Sequence, residues 1–391
     1  MLRSLCILFF LLVAPPARAG EPVLIGLDAE FGNKTSTSAQ AIEQGLQIAI
    51  NEINQSGGVL GGRPLKLVTR DNKSVTAIAV DNLRALAAMR DMVAVFGGRF
   101  SPVYVECLPV AQELGIPLLS PWGSADPITD HDFKPSYTFR LSLKDAWAAP
   151  AFIRFAKQQY KANRLGVLLP NTAWGRSNAR ALSIAAAEQG ALIVGERWYN
   201  WGDTTLIDQY QTLRTVGAEA IILVANEGEA ATLVRDVAAL DKTSRLPIIS
   251  HWGITGGRFF ELSGEALQQV DFSVIQTFSF IDLNTPTARR VMGAMQRDYG
   301  ATSAESIRSP VGVAHAYDLM HLLAKAIGKA GSTDRRKIRD ALEQLGPYDG
   351  LVRRYAKPFT AERHDALSPA QIFFARFTSE GVLLPLERRG R

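Results

Sequence analysis

Apolar stretches of strand length alternate with amphipathic stretches of helix length along most of this chain. Typical strand-like runs are "VLIGLDA", "MVAVFGG", "RLGVLLP" and "AEAIILVAN", and a helical stretch follows each. In the first helical stretch Ile42, Leu46, Ala49 and Ile53 are spaced so that they share one face. Strands that are apolar on both faces belong to parallel sheets covered by helices. The alternation therefore predicts an α/β fold.

The alternation runs twice, and a chain of 391 residues is expected to form more than one domain. We predict two doubly wound parallel-sheet lobes with an interlobe cleft, and short crossings near Arg140, Gln276 and Pro347 that act as a hinge. A late apolar strand, "AQIFFARFT", follows the second run, so the chain crosses between lobes more than once. The predicted limits are residues 20–140 plus 277–346 for lobe 1 and residues 141–276 plus 347–391 for lobe 2.

The first twenty residues, "MLRSLCILFFLLVAPPARAG", have the form of a secretory signal peptide. Arg3 precedes an apolar run, and Ala17 and Ala19 provide the small residues of a cleavage site. The run is too short to span a bilayer as a helix. We predict that residues 1–19 are a signal peptide cleaved after about Ala19, and that the protein is exported to the periplasm.

Charge and cysteine content exclude several classes of function. The net charge of +5 is small for this length and the arginines are scattered, so nothing indicates a nucleic-acid partner. Without the predicted signal peptide only Cys107 remains, which excludes an intramolecular disulfide. Its apolar surroundings, "VYVECLPVA", predict a buried structural thiol.

The motifs of common enzymes are missing from the sequence. There is no G-x-S-x-G elbow and no phosphate-binding G-x-x-x-x-G-K-[ST] loop. No two histidines have metal-ligand spacing, and there is no cysteine cluster. We therefore expect a protein that is not an enzyme and that carries no metal or cofactor.

Small hydroxyl residues, aromatic residues and one acid follow the predicted strands. Ligands in open α/β sheets bind beyond the carboxyl ends of the strands, where free N–H groups at helix starts receive anions. The candidates are Ser101 and Ser124 in the first lobe, and Trp174, Glu227 and Trp252 in the second. Taken singly, each is equally well read as a helix cap or a half-buried aromatic. Together they indicate a cleft for a small carboxylate with an apolar body, with or without an amine.

Several segments resemble the leucine/isoleucine/valine-binding protein family, the type I periplasmic substrate-binding proteins of ABC transporters. The segments "IGLDAEFG" and "AIEQGLQIAINEINQSGGVLGGRPLKLVTRDN" carry most of the resemblance. "VFGGRFSP", "IPLLSPWGSADP", "NTAWG" and "LPIIS" follow in the family's order, so the resemblance covers essentially the whole mature chain. It implies the type I periplasmic binding fold.

The resemblance also implies roles for individual residues. Hydroxyl groups at Ser101 and Ser124, with backbone groups at Trp122 and Gly123, would grip the ligand carboxylate. Trp174 would pack on the ligand from the second lobe.

Two positions depart from the family pattern. The carboxylate that receives a ligand amine in the family would fall at Trp252, and Glu227 stands where the family has an aromatic residue. Either the acid has moved to Glu227 or the ligand has no amine. Trp122, Trp174, Trp252 and Phe100 would make the cleft aromatic, which favours an aromatic or bulky apolar ligand. The alternative is that some of these rings pack lobe against lobe.

We therefore expect a monomeric periplasmic solute-binding protein that closes on a small-molecule ligand and delivers it to an ABC transporter permease in the inner membrane. The ligand would be a hydrophobic or aromatic amino acid or a related acid without the amine. An alternative is the ligand-sensing subunit of a signalling receptor. A secreted α/β enzyme is a third reading, for which the sequence offers no nucleophile and base.

Overall fold

The computed structural model describes residues 20–386. The predicted signal peptide lies outside the described residues. The described part of the chain contains two large parallel sheets and one small ribbon.

The first sheet has five parallel strands in the order β2-β1-β3-β4-β5. Every residue of its third strand is buried, as expected for a strand covered on both faces. The five strands are β1 (Val23–Ala29), β2 (Leu65–Asp71), β3 (Met92–Gly97), β4 (Leu118–Ser120) and β5 (Thr138–Arg140).

Helices from two parts of the chain cover this sheet. The early helices are α1 (Ser38–Gln55), α2 (Thr76–Ala87) and α3 (Ser101–Leu114). On α1 the predicted apolar stripe is buried at Ile42, Leu46 and Ala49.

The second sheet continues the strand–helix alternation. Its five parallel strands are β6 (Arg164–Pro170), β7 (Leu192–Tyr199), β8 (Ala220–Leu223), β9 (Ile248–Ser250) and β10 (Phe272–Gln276). The helices of this region are α4 (Asp145–Tyr160), α5 (Ala173–Gln189), α6 (Ile207–Thr215), α7 (Glu227–Ala238) and α8 (Phe259–Ser263).

The chain then returns to the first sheet. It adds α9 (Pro286–Tyr299), α10 (Pro310–Ala330) and α11 (Arg335–Glu343), and α10 packs along α1. A two-stranded ribbon follows, formed by β11 (Tyr348–Asp349) and β12 (Arg354–Tyr355).

The last two strands complete the second sheet. They are β13 (Phe373–Phe377) and β14 (Leu383–Pro385), both antiparallel to their neighbours, which gives the order β14-β13-β10-β9-β8-β6-β7. This arrangement confirms the predicted α/β class with two doubly wound sheets.

The last crossing between the sheets lies later than the predicted position near Pro347. The N–H of Arg140 donates to the carbonyl of His364 at 2.8 Å, and the N–H of Ala366 donates to the carbonyl of Arg140 at 2.8 Å. The His364 ring also stacks on Phe139 at 4.0 Å. Residues up to 366 therefore pack with the first sheet, so the predicted limit of 347–391 for lobe 2 is too early.

Two further properties concern residues 20–386. No helix in this range is long and apolar enough to cross a membrane, and no group of His, Cys, Asp or Glu in it could hold a metal ion.

Cys107 is free and buried, and burial raises its pKa to about 12. A thiol with that pKa is unreactive at neutral pH.

Candidate functional site

Residues that follow the carboxyl ends of strands in both sheets line one small cavity. Ser101 is the first residue of α3 and is buried. Its Oγ accepts the backbone N–H groups of Ser124 at 3.1 Å and Ala125 at 3.2 Å. Both bonds use Ser101 as an acceptor, so its own hydroxyl proton stays available for a ligand carboxylate.

Hydrogen bonds fix the backbone of the loop that follows β4. Ser142 Oγ donates to the Trp122 carbonyl at 2.6 Å. Arg140 Nη1 donates to the carbonyls of Ser124 at 3.1 Å and Ala125 at 2.8 Å. These bonds, with that from the Ser124 N–H to Ser101 Oγ, hold Ser124 beside Ser101.

Gly123 fits this loop because it has no side chain. A Cβ at this position would lie 2.8 Å from Ile128 Cδ1 and 2.9 Å from the Tyr104 ring. We expect Gly123→Ala to lower the free energy of unfolding by about 1–3 kcal/mol, the usual cost of overpacking. Chemical denaturation measures this loss. Gly228→Ala is the matched control because a Cβ there meets nothing within 4 Å, and an equal effect of both substitutions would contradict the close fit of Gly123.

Three tryptophans form the aromatic part of the site. The rings of Trp122 and Trp252 lie 5.6 Å apart, and each residue is only 1% exposed. Trp174 meets the ring of His251 edge-on at 4.9 Å. The Nε1 groups of Trp122 and Trp174 are buried and have no hydrogen-bond partner within residues 20–386. Such groups are rare in folded proteins, and both are donors that a ligand acceptor could satisfy.

These residues enclose a small cavity of about 10 Å³, enough for about one water molecule. It brings together six of the predicted site residues, whereas Gly123 and Glu227 do not line it. Trp122 comes from the first lobe and Trp252 from the second, and their rings pack against each other. The lining residues are Arg99, Phe100, Ser101, Pro102, Trp122, Ser124, Trp174, Asn226, Trp252 and Gly253.

Glu227 is engaged by the protein itself. Arg99 donates to its carboxylate through Nη1 at 2.8 Å and Nη2 at 3.3 Å, and Thr35 Oγ1 donates at 2.8 Å. Burial acts to raise the pKa of Glu227, but the charge and hydrogen bonds of Arg99 and the hydroxyl of Thr35 bring it below its usual value. The carboxylate is therefore ionised and already paired, so the structure does not offer it as a free acceptor for a ligand amine.

The sequence reasoning missed four of the lining residues, namely Arg99, Pro102, Asn226 and Gly253. Arg99 is the charged one among them. It follows directly after "FGG" at the end of β3 and lies 4.7 Å from the centre of the Phe100 ring. Its second carboxylate neighbour is Glu30, whose Oε1 is 4.0 Å from Arg99 Nε. Glu30 also accepts hydrogen bonds from the hydroxyls of Ser36 and Ser38. The sequence feature that could have identified Arg99 is its position two residues before Ser101, the predicted ligand-binding serine.

The Arg99–Glu227 pair belongs to a set of bonds that join the two lobes. The N–H of Thr37 donates to the carbonyl of Gly256 at 2.8 Å, and the N–H of Arg258 donates to the carbonyl of Thr35 at 2.9 Å. Phe100 also packs on Trp201 at 5.3 Å. The structure therefore shows a closed conformation that is held by direct contacts between the lobes.

Asp126 joins the loop after β4 to the second lobe on the other side of the cavity. Its N–H donates to Ser177 Oγ at 2.9 Å, and its Oδ1 accepts the N–H of Ala146 at 2.9 Å. Burial, and next the charge of Asp145, raise the pKa of Asp126 to about 6. The folded state thus disfavours the charged form, so Asp126 contributes stability below its ordinary pKa of 3.8 and loses that contribution as the pH rises through about 6.

The substitution Asp126→Asn keeps the acceptor oxygen and removes the charge. We expect the variant to match the wild type at about pH 4 and to be more stable by about 1–2 kcal/mol at about pH 8, allowing for partial solvent exposure. Urea unfolding across this range measures the difference. Asp132→Asn, an exposed change nearby, is the control. A stability difference that does not change with pH would contradict the raised pKa.

Comparison with known proteins places this geometry in a family. Residues 22–381 match the model of the periplasmic binding protein family. A Leu/Ile/Val-binding protein homolog from Brucella abortus is 21% identical over 375 residues, 95% of each chain.

Two solved structures share the fold. One is the branched-chain amino acid transporter substrate-binding protein LivJ from Streptococcus pneumoniae in complex with isoleucine, with a TM-score of 0.77, 20% identity, and coverage of 93% of this chain and 100% of that one. The other is a fatty acid ABC transporter substrate-binding protein from Thermomonospora curvata, with a TM-score of 0.77, 18% identity, and coverage of 95% and 93%. The resemblance noted in the sequence is confirmed by the similarity to a Leu/Ile/Val-binding protein homolog and by the shared type I fold. This chain belongs to the periplasmic binding protein family.

Proposed function

We propose that this protein binds a small carboxylate that has an aromatic or branched apolar body and no α-ammonium group. The observation that carries the proposal is the pairing of Glu227 with Arg99. Among the described residues, those that line the cavity include one guanidinium and several neutral donors, but no aspartate or glutamate. A ligand ammonium would therefore enter the cavity without a counter-charge, which is costly away from water.

The donors suit a carboxylate. Ser101 and Ser124 stand at the start of α3 and in the loop beside it, where backbone N–H groups and the helix dipole favour negative charge. The unpartnered Nε1 groups of Trp122 and Trp174 add two further donors. The rings of these tryptophans and of Trp252 offer the apolar contact that a carboxylic acid's body needs.

Two solved relatives bear on whether the ligand carries an amine. LivJ was solved with isoleucine, a ligand that carries an amine, whereas the Thermomonospora protein is named for fatty acids, which carry none. The shared fold thus serves ligands of both kinds. By the resemblance of the sequence segments, Trp252 would stand where the family binds the ligand amine, and its indole cannot accept an ammonium proton.

The proposed function depends on the opening and closing of the two lobes. The protein would be exported, with residues 1–19 removed, and would open to admit the ligand. It would then close around the ligand less fully than in this structure, because the present cavity of about 10 Å³ has room for about one water molecule. The closed form would act as a monomer and present the ligand to the permease of an ABC transporter. This role involves binding and release only and needs no catalytic group.

A thermal-shift screen of aromatic and branched carboxylates tests the proposal. We expect acids without an amine to raise the melting temperature of the mature wild type, and Ser101→Ala to lose most of that shift, since a hydrogen bond to a charged group is worth about 1.5–3 kcal/mol. Ser368→Ala is the control, because Ser368 also stands at a helix start, that of the 3₁₀ helix Pro369–Gln371, and does not line the cavity. An unchanged shift in Ser101→Ala would overturn this placement of the carboxylate.

A further inference from the structure

A second cavity lies outside the candidate site, between the two lobes. Its volume is about 450 Å³, within the range of small-molecule sites, and none of its lining residues lines the cavity between the tryptophans. One side of it is residues 255–261 and β13 with its turn to β14. The other side is residues 278–281 and 304–310, which lead into α10. The two lobes therefore share this cavity.

The walls of the cavity are rich in aromatic rings. Phe278 and Phe280 meet edge-on at 4.8 Å, and Phe260 stacks with Phe377 at 6.2 Å. At the rim Arg308 and Glu261 form an ion pair whose side chains are 59% and 42% exposed. Glu305 and Glu380 also line the cavity, and all four of these charged residues are exposed. The buried part of the cavity therefore offers no charged group to a charged ligand.

One buried side chain in the wall of the cavity has a polar atom without a hydrogen-bond partner among the described residues. Gln276 lines the cavity and is 1% exposed. Its Nε2 donates to the Ile275 carbonyl at 2.7 Å and to Thr255 Oγ1 at 3.3 Å, but its Oε1 has no partner within residues 20–386. A buried acceptor without a donor is destabilising by itself, and a ligand hydroxyl or N–H would satisfy it.

We propose that this cavity is a second binding site, for an uncharged molecule with an aromatic or branched apolar body and one hydrogen-bond donor directed at Gln276 Oε1. Since both lobes line the site, its occupant stabilises the closed conformation. The proposal does not depend on what the candidate site binds, because the two sites share no lining residue.

The test uses N-phenylnaphthylamine, an uncharged aromatic amine with one N–H whose fluorescence rises in apolar surroundings, and its N-methyl derivative, which has no N–H. We expect the wild type to bind the first probe saturably and to bind the N-methyl probe about five- to tenfold more weakly, the effect of one lost hydrogen bond. Gln276→Met should bind both probes equally.

A filling substitution checks the location. Val382→Trp, in the turn that lines the cavity, should abolish saturable binding, while Val216→Trp, an exposed valine remote from it, should not. Circular dichroism confirms that each variant folds. The proposal is overturned if the wild type shows no saturable binding, if it does not discriminate between the probes, or if Val382→Trp binds them as Val216→Trp does.

Discussion

Replacement of Arg99 by methionine is expected to destabilise the closed conformation by about 3–5 kcal/mol, the usual cost of leaving one member of a buried ion pair without its partner. Arg99 comes from the first lobe and Glu227 from the second, and their side chains are 2% and 3% exposed. Without the guanidinium, Glu227 and Glu30 remain as buried negative charges. Opening the cleft hydrates them, so the variant should populate an open conformation.

Small-angle X-ray scattering measures this change as an increase in the radius of gyration of Arg99→Met over the wild type. Arg84→Met is the matched control, because Arg84 also forms a two-bond pair with a glutamate, Glu113, but on the surface. Solvent screens the charges of an exposed pair, so the control should keep the wild-type dimensions. Glu227→Gln should have a smaller effect than Arg99→Met, because Arg99 keeps Glu30 and the carbonyl of Gly253 as neighbours. Equal scattering by the Arg99 and Arg84 variants would contradict the interlobe role of Arg99.

Arg140→Met is expected to lower the free energy of unfolding by about 3 kcal/mol or more, for a related reason. Arg140 is fully buried, and its Nε donates to Asp365 Oδ1 at 2.6 Å. Its other nitrogens hold the carbonyls of Ser124 and Ala125 and the hydroxyl of Thr129. Its loss leaves Asp365 with Lys144 as its remaining cationic partner, at 3.4 Å. It also frees the loop that carries Ser124, so ligand affinity should fall with stability.

The pH dependence of this difference gives a further check. Burial acts to raise the pKa of Asp365, but the charges of Arg140 and Lys144 keep it below its ordinary value of 3.8. A lowered pKa contributes stability that is present above that value and is lost as the pH falls through the folded pKa. The stability gap between wild type and variant should therefore be widest near neutral pH and narrow on acidification below 3.8. Urea unfolding at several pH values measures it, and a gap that widens on acidification would contradict the account.

The sequence was informative where local patterns determine structure. Apolar periodicity predicted the two sheets, and the residues after each strand predicted that Ser101, Trp174 and Glu227 would lie at helix starts, which is where α3, α5 and α7 place them. Such patterns act through neighbours in the chain, and a single sequence displays them directly.

The parts that could not be predicted depend on contacts across the cleft. Arg99 and Glu227 are 128 positions apart, and nothing in either local segment shows that they pair. The packing of Trp122 on Trp252 is a contact of the same kind. The last crossing was placed too early because Gly346 and Pro347 suggest a boundary, whereas the hydrogen bonds of Arg140 with residues 364 and 366 hold the following segment on the first sheet. Whether Glu227 is free to bind a ligand depends on its pairing with Arg99, which lies far away in the sequence.

Calorimetric titration of the mature protein with two matched pairs of ligands tests the central claim most directly. The pairs are phenylalanine with hydrocinnamate and leucine with isocaproate, in which the second member lacks only the amine. Unfolding and refolding the protein first removes any ligand carried through purification. We expect hydrocinnamate or isocaproate to bind, and the matched amino acid, phenylalanine or leucine, to bind about tenfold more weakly or worse. The reason is that Glu227 is paired with Arg99, so that the ligand ammonium finds no counter-charge. Tighter binding of the amino acids, lost on Glu227→Gln, would contradict it and would show that Glu227 leaves Arg99 to receive the amine.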